Sequence, residues 1–150
     1  MKYIIEQHFP GGYINIANTP GFGQAYAKQN GGVTAIVINK LANKYAGQGQ
    51  DRGGRYNWIS FRGKNGFLKI YTLYRVNKSE ERRAGMSSAW TEQFMWLTRQ
   101  QQQHCHKRTK IDPRQAVIDD ILKNITSGIK KGDHVIVMGD INETIYGNFN

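Results

Sequence analysis

The chain has 150 residues, 39% of them hydrophobic and 11% aromatic, which fits one folded globular domain and excludes a disordered chain. A domain of that length buries roughly 68–70% of its unfolded surface, enough for a real core. Lys and Arg number 21 against 11 Asp and Glu, a formal charge of +10, so a positive surface field that gathers polyanions is expected, without identifying a substrate.

That charge favours nucleic acid as a partner, although a solvated basic surface has the same composition. One cysteine, Cys105, excludes an internal disulfide framework and suits a reducing compartment. No apolar run approaches the roughly 18 residues of a membrane span. Met1 to Glu6 lacks the basic and then apolar layout of a signal peptide. A soluble intracellular protein is expected.

In chain order, residues 2–9 read as the tail of a helix that ends at Pro10-Gly11-Gly12, and residues 13–17 as a short strand. Residues 18–32 are rich in Gly, Asn and Pro and read as loop. Val33-Thr34-Ala35-Ile36-Val37-Ile38 reads as a buried strand, and residues 43–54 as another polar stretch. Residues 55–61 and 67–76 form a hairpin around Arg62-Gly63-Lys64-Asn65-Gly66, whose Asn-Gly step is a turn signal. A helix is predicted over 88–104 from the spacing of Trp90, Phe94, Leu97 and Gln101.

The next helix is better defined. Asp112 can cap it, Pro113 occupies its first position, and Gln115 completes a capping box. Val117, Ile118, Ile121, Leu122 and Ile125 make its apolar face, Asp119 and Lys123 are spaced to pair, and Gly128 is a stop. Lys130 to Asp133 turns the chain into Val135-Ile136-Val137-Met138, predicted to be a buried strand ending at Gly139-Asp140. Buried strands joined through helices predict a single α/β domain with a right-handed crossover.

Gly139-Asp140-Ile141-Asn142-Glu143, directly after that strand, is the leading candidate for chemistry, because α/β folds gather function at the carboxyl ends of strands. On an extended segment Asp140 and Asn142 would face one site. There a carboxylate can orient a water and an amide can hold a phosphoryl oxygen. On spacing alone, Asp-x-Asn after a strand reads first as a turn. Tyr74-Arg75 ends the hairpin's second strand, where a phenol and a guanidinium could grip a phosphate, or stand as an edge tyrosine and a solvated arginine. His104-Cys105-His106 lacks a second ligand pair for zinc. Lys107 to Lys110 reads as a basic loop.

The ordered series Gly31-Gly32-Val33-Thr34-Ala35-Ile36, Gly54 to Trp58, Arg62 to Gly66, Tyr71-Thr72-Leu73-Tyr74-Arg75-Val76, Asp112-Pro113-Arg114 and Gly139 to Glu143 resembles the endonuclease/exonuclease/phosphatase superfamily. It is most similar to the retrotransposon-type endonuclease domains of that deoxyribonuclease-I-like family, over about residues 31–143. The resemblance implies a partial α/β sandwich of mixed sheets flanked by helices. It implies that Asp140 aligns or activates the attacking water, that Asn142 and Tyr74 contact the scissile phosphate, and that Arg75 assists in binding. It also implies a magnesium or manganese ion acting as a Lewis acid and a nucleic-acid substrate with DNA favoured over RNA, on a chain that is a truncated reading frame, a decayed copy or a piece of a longer polyprotein.

The departures from the family pattern are specific. The family's early asparagine and metal-binding glutamate have no convincing counterpart before Gly31, where Glu6 sits in a predicted helix. Asp133-His134 precedes Asp140, whereas the family's Ser-Asp-His motif follows its Gly-Asp-x-Asn, so the dipeptide reads as turn chemistry. The expectation is therefore a phosphodiesterase portion, truncated at both ends, that is inactive by itself. A non-catalytic nucleic-acid-binding module with the same fold is the alternative, and a generic α/β interaction domain the third.

Overall fold

The computed structural model describes residues 7–8, 10–18, 31–77, 88–104 and 111–143. The fold is mixed α/β. A two-stranded antiparallel ribbon, β1 (Tyr13–Asn18) and β2 (Gly32–Val37), lies against a four-stranded sheet, with the short helix α1 (Asn39–Ala42) between them in sequence. The larger sheet has the order β3 (Tyr45–Gln50), β4 (Tyr56–Arg62), β5 (Phe67–Tyr74), β6 (His134–Asp140). Its first three strands are antiparallel and β6 runs parallel to β5. Between β5 and β6 the chain forms α2 (Ala89–His104) and α3 (Pro113–Ile129).

The alternation of side chains along β4 and β5 explains why two cores form, one on each face of the sheet. Tyr56, Tyr71 and Leu73 pack against Val117 and Ile121 of α3, with Trp58 and Val135 at the edge. Ile59 and Phe61 turn the other way and pack with Val37 of the ribbon, beside Leu68 and Ile70. The helix α3 follows its sequence signals. Asp112 Oδ1 accepts a hydrogen bond from the Arg114 amide at 2.8 Å, with Pro113 at the first position. Two expected side-chain pairs re-form elsewhere. Gln115 donates to Asp119 and not back to the cap, and Lys123 approaches Asp120 at 3.8 Å, three residues away.

Buried amides tie the ribbon to the sheet. Asn15 Nδ2 donates to the carbonyls of Gly49 (2.8 Å) and Trp58 (3.0 Å), and Asn57 Nδ2 donates to that of Asn15 (2.9 Å). Both side chains are buried, so these bonds offset a desolvation cost of about 1–3 kcal/mol each.

The structure corrects three expectations. The polar stretch 43–54 contains β3, whose Tyr-Ala-Gly-Gln-Gly-Gln sequence carries no apolar alternation and is held by its ladder to β4. Small residues are needed there: a Cβ on Gly49 would sit 2.7 Å from the Trp58 ring. The strand 33–38 is half-buried, with Ile36 47% exposed, because a two-stranded ribbon covers only one of its faces. Residues 135–138 form an edge strand and not a buried one. Ile136, Val137 and Met138 are 43–49% exposed, since β5 pairs with one side and no described residue pairs with the other. Of residues 2–9, Gln7 and His8 are helical, and Glu6 lies outside the described residues, as do most of the loop 18–32, Cys105, His106 and Lys107 to Lys110. Among the described residues no helix is long and apolar enough to cross a membrane.

A charged cluster closes the sheet end that precedes β4. Arg55 is 1% exposed and binds Asp51 through Nε at 2.7 Å and Asp120 through Nη2 at 2.6 Å, beneath the Trp96 ring. Burial alone would lower its pKa, and the hydrogen bonds and charges of Asp51 and Asp120 outweigh that and hold it above the ordinary value. Beside it, burial and then the same two carboxylates push the Tyr56 phenol from 10.0 up to about 12. The unfolded phenol ionises first as pH rises, so stability present below pH 10 is lost progressively toward pH 12. In stability curves measured across that interval, the chain should lose up to about 2.7 kcal/mol more stability than Tyr56→Phe, whose curve is the flatter. Equal slopes would remove Tyr56 as the cause.

Candidate functional site

The parallel β5–β6 pair brings Tyr74 opposite Asp140 as register partners, both at the carboxyl ends of their strands. Partners in a parallel pair point to the same face. Tyr71 and Leu73 face α3, so Tyr74 and Asp140 face the ribbon side, the side of Leu68 and Ile70. The ladder continues one step beyond the strand, where the Arg75 amide donates to the Asp140 carbonyl at 2.9 Å.

Gly139 makes this pairing possible. Its φ is +147°, and a Cβ built on it would run into the Leu73 carbonyl. The glycine of Gly-Asp-Ile-Asn is therefore required by the close approach of β6 to β5, independent of any chemistry.

After Asp140 the chain leaves the strand, and the alternation expected to align Asp140 with Asn142 ends with it. Asn142 adopts φ +47°. Its amide donates to Asp140 Oδ1 at 3.1 Å, a local turn of the kind that Asp-x-Asn favours. Its side-chain Nδ2 donates to the Arg75 carbonyl at 2.7 Å. Asn142 thus locks the loop after β6 to the end of β5.

Two guanidiniums lie on the α3 side of this junction. Arg114, in the first turn of α3 and 7% exposed, donates to the carbonyls of Val76 (2.6 Å) and Asn142 (3.2 Å) and to Glu143 Oε1 (2.7 Å). Arg75 donates through Nε to the Arg114 carbonyl at 3.3 Å and through Nη1 to the same Glu143 oxygen. The hydrogen bond from Arg75, then that from Arg114, holds the Glu143 carboxyl below the ordinary carboxylate range. Two cations converging on one anionic oxygen form an arrangement that a phosphate oxygen could also satisfy. Arg114 and Glu143 lie within motifs of the sequence that assign neither a role. The Asp-Pro-Arg start of α3 was the available signal, since it fixes an arginine in the first helical turn, next to the strand ends.

A magnesium or manganese ion needs several oxygen ligands and retains waters. Among the described residues no group of three or more His, Cys, Asp or Glu side chains comes together that could hold a metal ion. Asp140 has one oxygen in its turn, and Glu143 is held by two guanidiniums. These side chains do not fit a divalent-metal site. In comparisons with known proteins the chain matches no family model, no curated protein and no solved structure.

Proposed function

We propose that this chain is the nucleic-acid-directed part of a phosphodiesterase of the endonuclease/exonuclease/phosphatase kind, with a deoxyribonuclease-I-like arrangement of its sheets and the retrotransposon endonucleases as its nearest type. It binds a phosphodiester strand and does not cleave it by itself. One observation carries the reading: Tyr74 and Asp140, separated by 65 intervening residues, stand opposite each other at adjacent parallel strand ends. The net charge of +10 supports an anionic ligand.

In this reading the Tyr74 hydroxyl donates to a phosphate oxygen, and Asp140, the position for orienting a water, contributes no affinity because its charge repels the phosphate. Asn142 and Arg114 hold the two strand ends in register. Binding without hydrolysis is expected because the family's metal-binding glutamate has no convincing counterpart before Gly31. Neither magnesium nor manganese is therefore expected to produce cleavage of a short duplex by the chain alone.

The test compares duplex binding by the chain, Tyr74→Phe and Asp140→Asn. Loss of the phenolic donor should weaken binding about fivefold, the equivalent of one hydrogen bond of about 1 kcal/mol. Asp140→Asn keeps the Oδ1 that accepts from Asn142, so its binding should equal or exceed that of the parent. Unchanged binding by Tyr74→Phe would remove the phosphate contact. Metal-dependent cleavage that Asp140→Asn abolishes would instead establish an enzyme complete in this chain.

A further inference from the structure

We propose that the opposite end of the four-stranded sheet carries a second, independent site, a groove that binds a single-stranded nucleic-acid segment. A groove of about 470 Å³ opens there, lined by the apolar Leu41, Phe61 and Leu68 and by the basic Lys44, Arg62 and Lys64. It lies between the end of α1, the start of β3 and the β4–β5 turn, and backbone bonds fix its shape. The Arg62 amide donates to the Lys44 carbonyl at 2.7 Å, and the Gly63 amide closes the turn on Gly66 at 2.8 Å.

The fold adds more cations at this end. The β4–β5 turn backs onto the turn between α3 and β6, where a Cβ on Gly66 would come 2.8 Å from the Gly132 carbonyl, and Leu68 is the register partner of His134. That contact brings Lys130 and Lys131 to the end already occupied by Lys40, Lys44, Arg62 and Lys64. All six side chains are exposed, and among the described residues none of the six forms an ion pair with a carboxylate. The acid on these turns, Asp133, is buried and bound to Lys69 at 2.7 Å. At the Tyr74–Asp140 end, by contrast, Asp140 and Glu143 balance Arg75 and Arg114. The positive field is thus concentrated away from that end, at a distance of roughly 23 Å along the eight residues of β5.

Cations alone suit any polyanion. The ring beside the groove narrows the class. Tyr45 follows Lys44, pairs with Phe61 in the β3–β4 register, and stacks on Tyr13 at 3.7 Å between centroids and 7° between planes. Tyr13 remains 39% exposed, which leaves ring surface for a base. Apolar lining, exposed aromatic and flanking cations are the combination by which unpaired strands are held, bases stacked and phosphates neutralised. A duplex hides its base faces and an acidic peptide has none to offer.

The experiment measures anisotropy of a labelled oligodeoxythymidylate of about 20 nucleotides bound to the full chain, as salt is varied. Lys44→Ala/Lys64→Ala is compared with Arg52→Ala/Lys123→Ala, which removes the same charge from outside the groove. The groove variant should bind about tenfold more weakly, with a salt slope lower by about 1.4, or 0.7 for each of two lost phosphate contacts. The control pair should change affinity by less than about threefold, and Tyr13→Leu should weaken binding about fivefold, at the lower end of base–aromatic stacking. Equal loss in the two charge variants would overturn the groove in favour of a diffuse field. Equal weakening of duplex binding by Lys44→Ala/Lys64→Ala, or equal competition by polyglutamate, would overturn the single-stranded ligand. None of these outcomes bears on Tyr74, so this proposal and the phosphate contact at the other end fail separately.

Discussion

Replacing Arg55 with alanine is expected to cost about 3–5 kcal/mol of stability, enough to unfold much of the population. The cost arises less from lost attraction than from what remains. Arg55 is 1% exposed, and the Asp51 side chain it neutralises is 8% exposed, so the alanine variant strands a carboxylate in a poorly solvated position. Asp51 also holds the turn before β4, accepting from the Arg55 amide at 3.2 Å, while its own carbonyl accepts from the Gly54 amide at 3.1 Å. Trp96 loses the guanidinium it covers at 5.1 Å. Arg55→Met combined with Asp51→Asn removes the stranded charge, fills the space and keeps one amide oxygen that, turned to the Oδ2 position, still accepts from the residue 55 amide, so it should recover more than half of the loss. Urea unfolding at constant m-value measures both variants. A single alanine variant within about 1 kcal/mol of the parent would show that water reaches Asp51 and that the cluster is not a buried pair.

Gly139→Ala should cost roughly 3 kcal/mol and separate β6 from β5. A φ of +147° is unfavourable for any L side chain, and the added methyl has the Leu73 carbonyl in its path. Leu73 is a core residue packed with Tyr71 and Val117, so β5 cannot retreat without opening that core. Gly132→Ala is the comparison. It has φ +83° but open space around the new methyl, and its cost should stay near 1 kcal/mol. The difference between the two variants isolates the steric contact from backbone strain. If Gly139→Ala is as mild as Gly132→Ala, the close approach of the strand ends is relieved by movement of the exposed edge, and Tyr74–Asp140 pairing is looser than its register implies.

Local signals in the sequence carried the hairpin and α3, because an Asn-Gly turn and an Asp-Pro cap act within a few residues of where they are read. β3 was not legible. Gly47, Gln48 and Gly49 have no strand preference of their own, and their conformation comes from pairing with Trp58, Ile59 and Ser60. The exposure of β6 was not legible either. Four consecutive apolar residues suit a central strand and an edge strand equally, and only the sheet order separates them.

At the candidate site, the motif readings named residues that the fold brings together, Tyr74 with Asp140, through a parallel crossover that no local pattern specifies. The orientation of Asn142 was beyond reach, because extended alternation was assumed for a residue that adopts positive φ. The segregation of charge was hidden for a similar reason. Lys44, Lys64 and Lys131 lie in three separate turns, and only the packing of Gly66 on Gly132 and the position of the groove join them.

The most direct test of the phosphate contact is an NMR titration of the isotopically labelled chain with a thymidine dinucleotide, a ligand too short to link the two ends of the sheet. The account predicts amide shifts that saturate at Tyr74, Arg75 and Asp140 to Glu143, and that Tyr74→Phe diminishes. Shifts confined to Lys44, Arg62 to Lys64 and the other basic turns, with the strand ends silent, would contradict it.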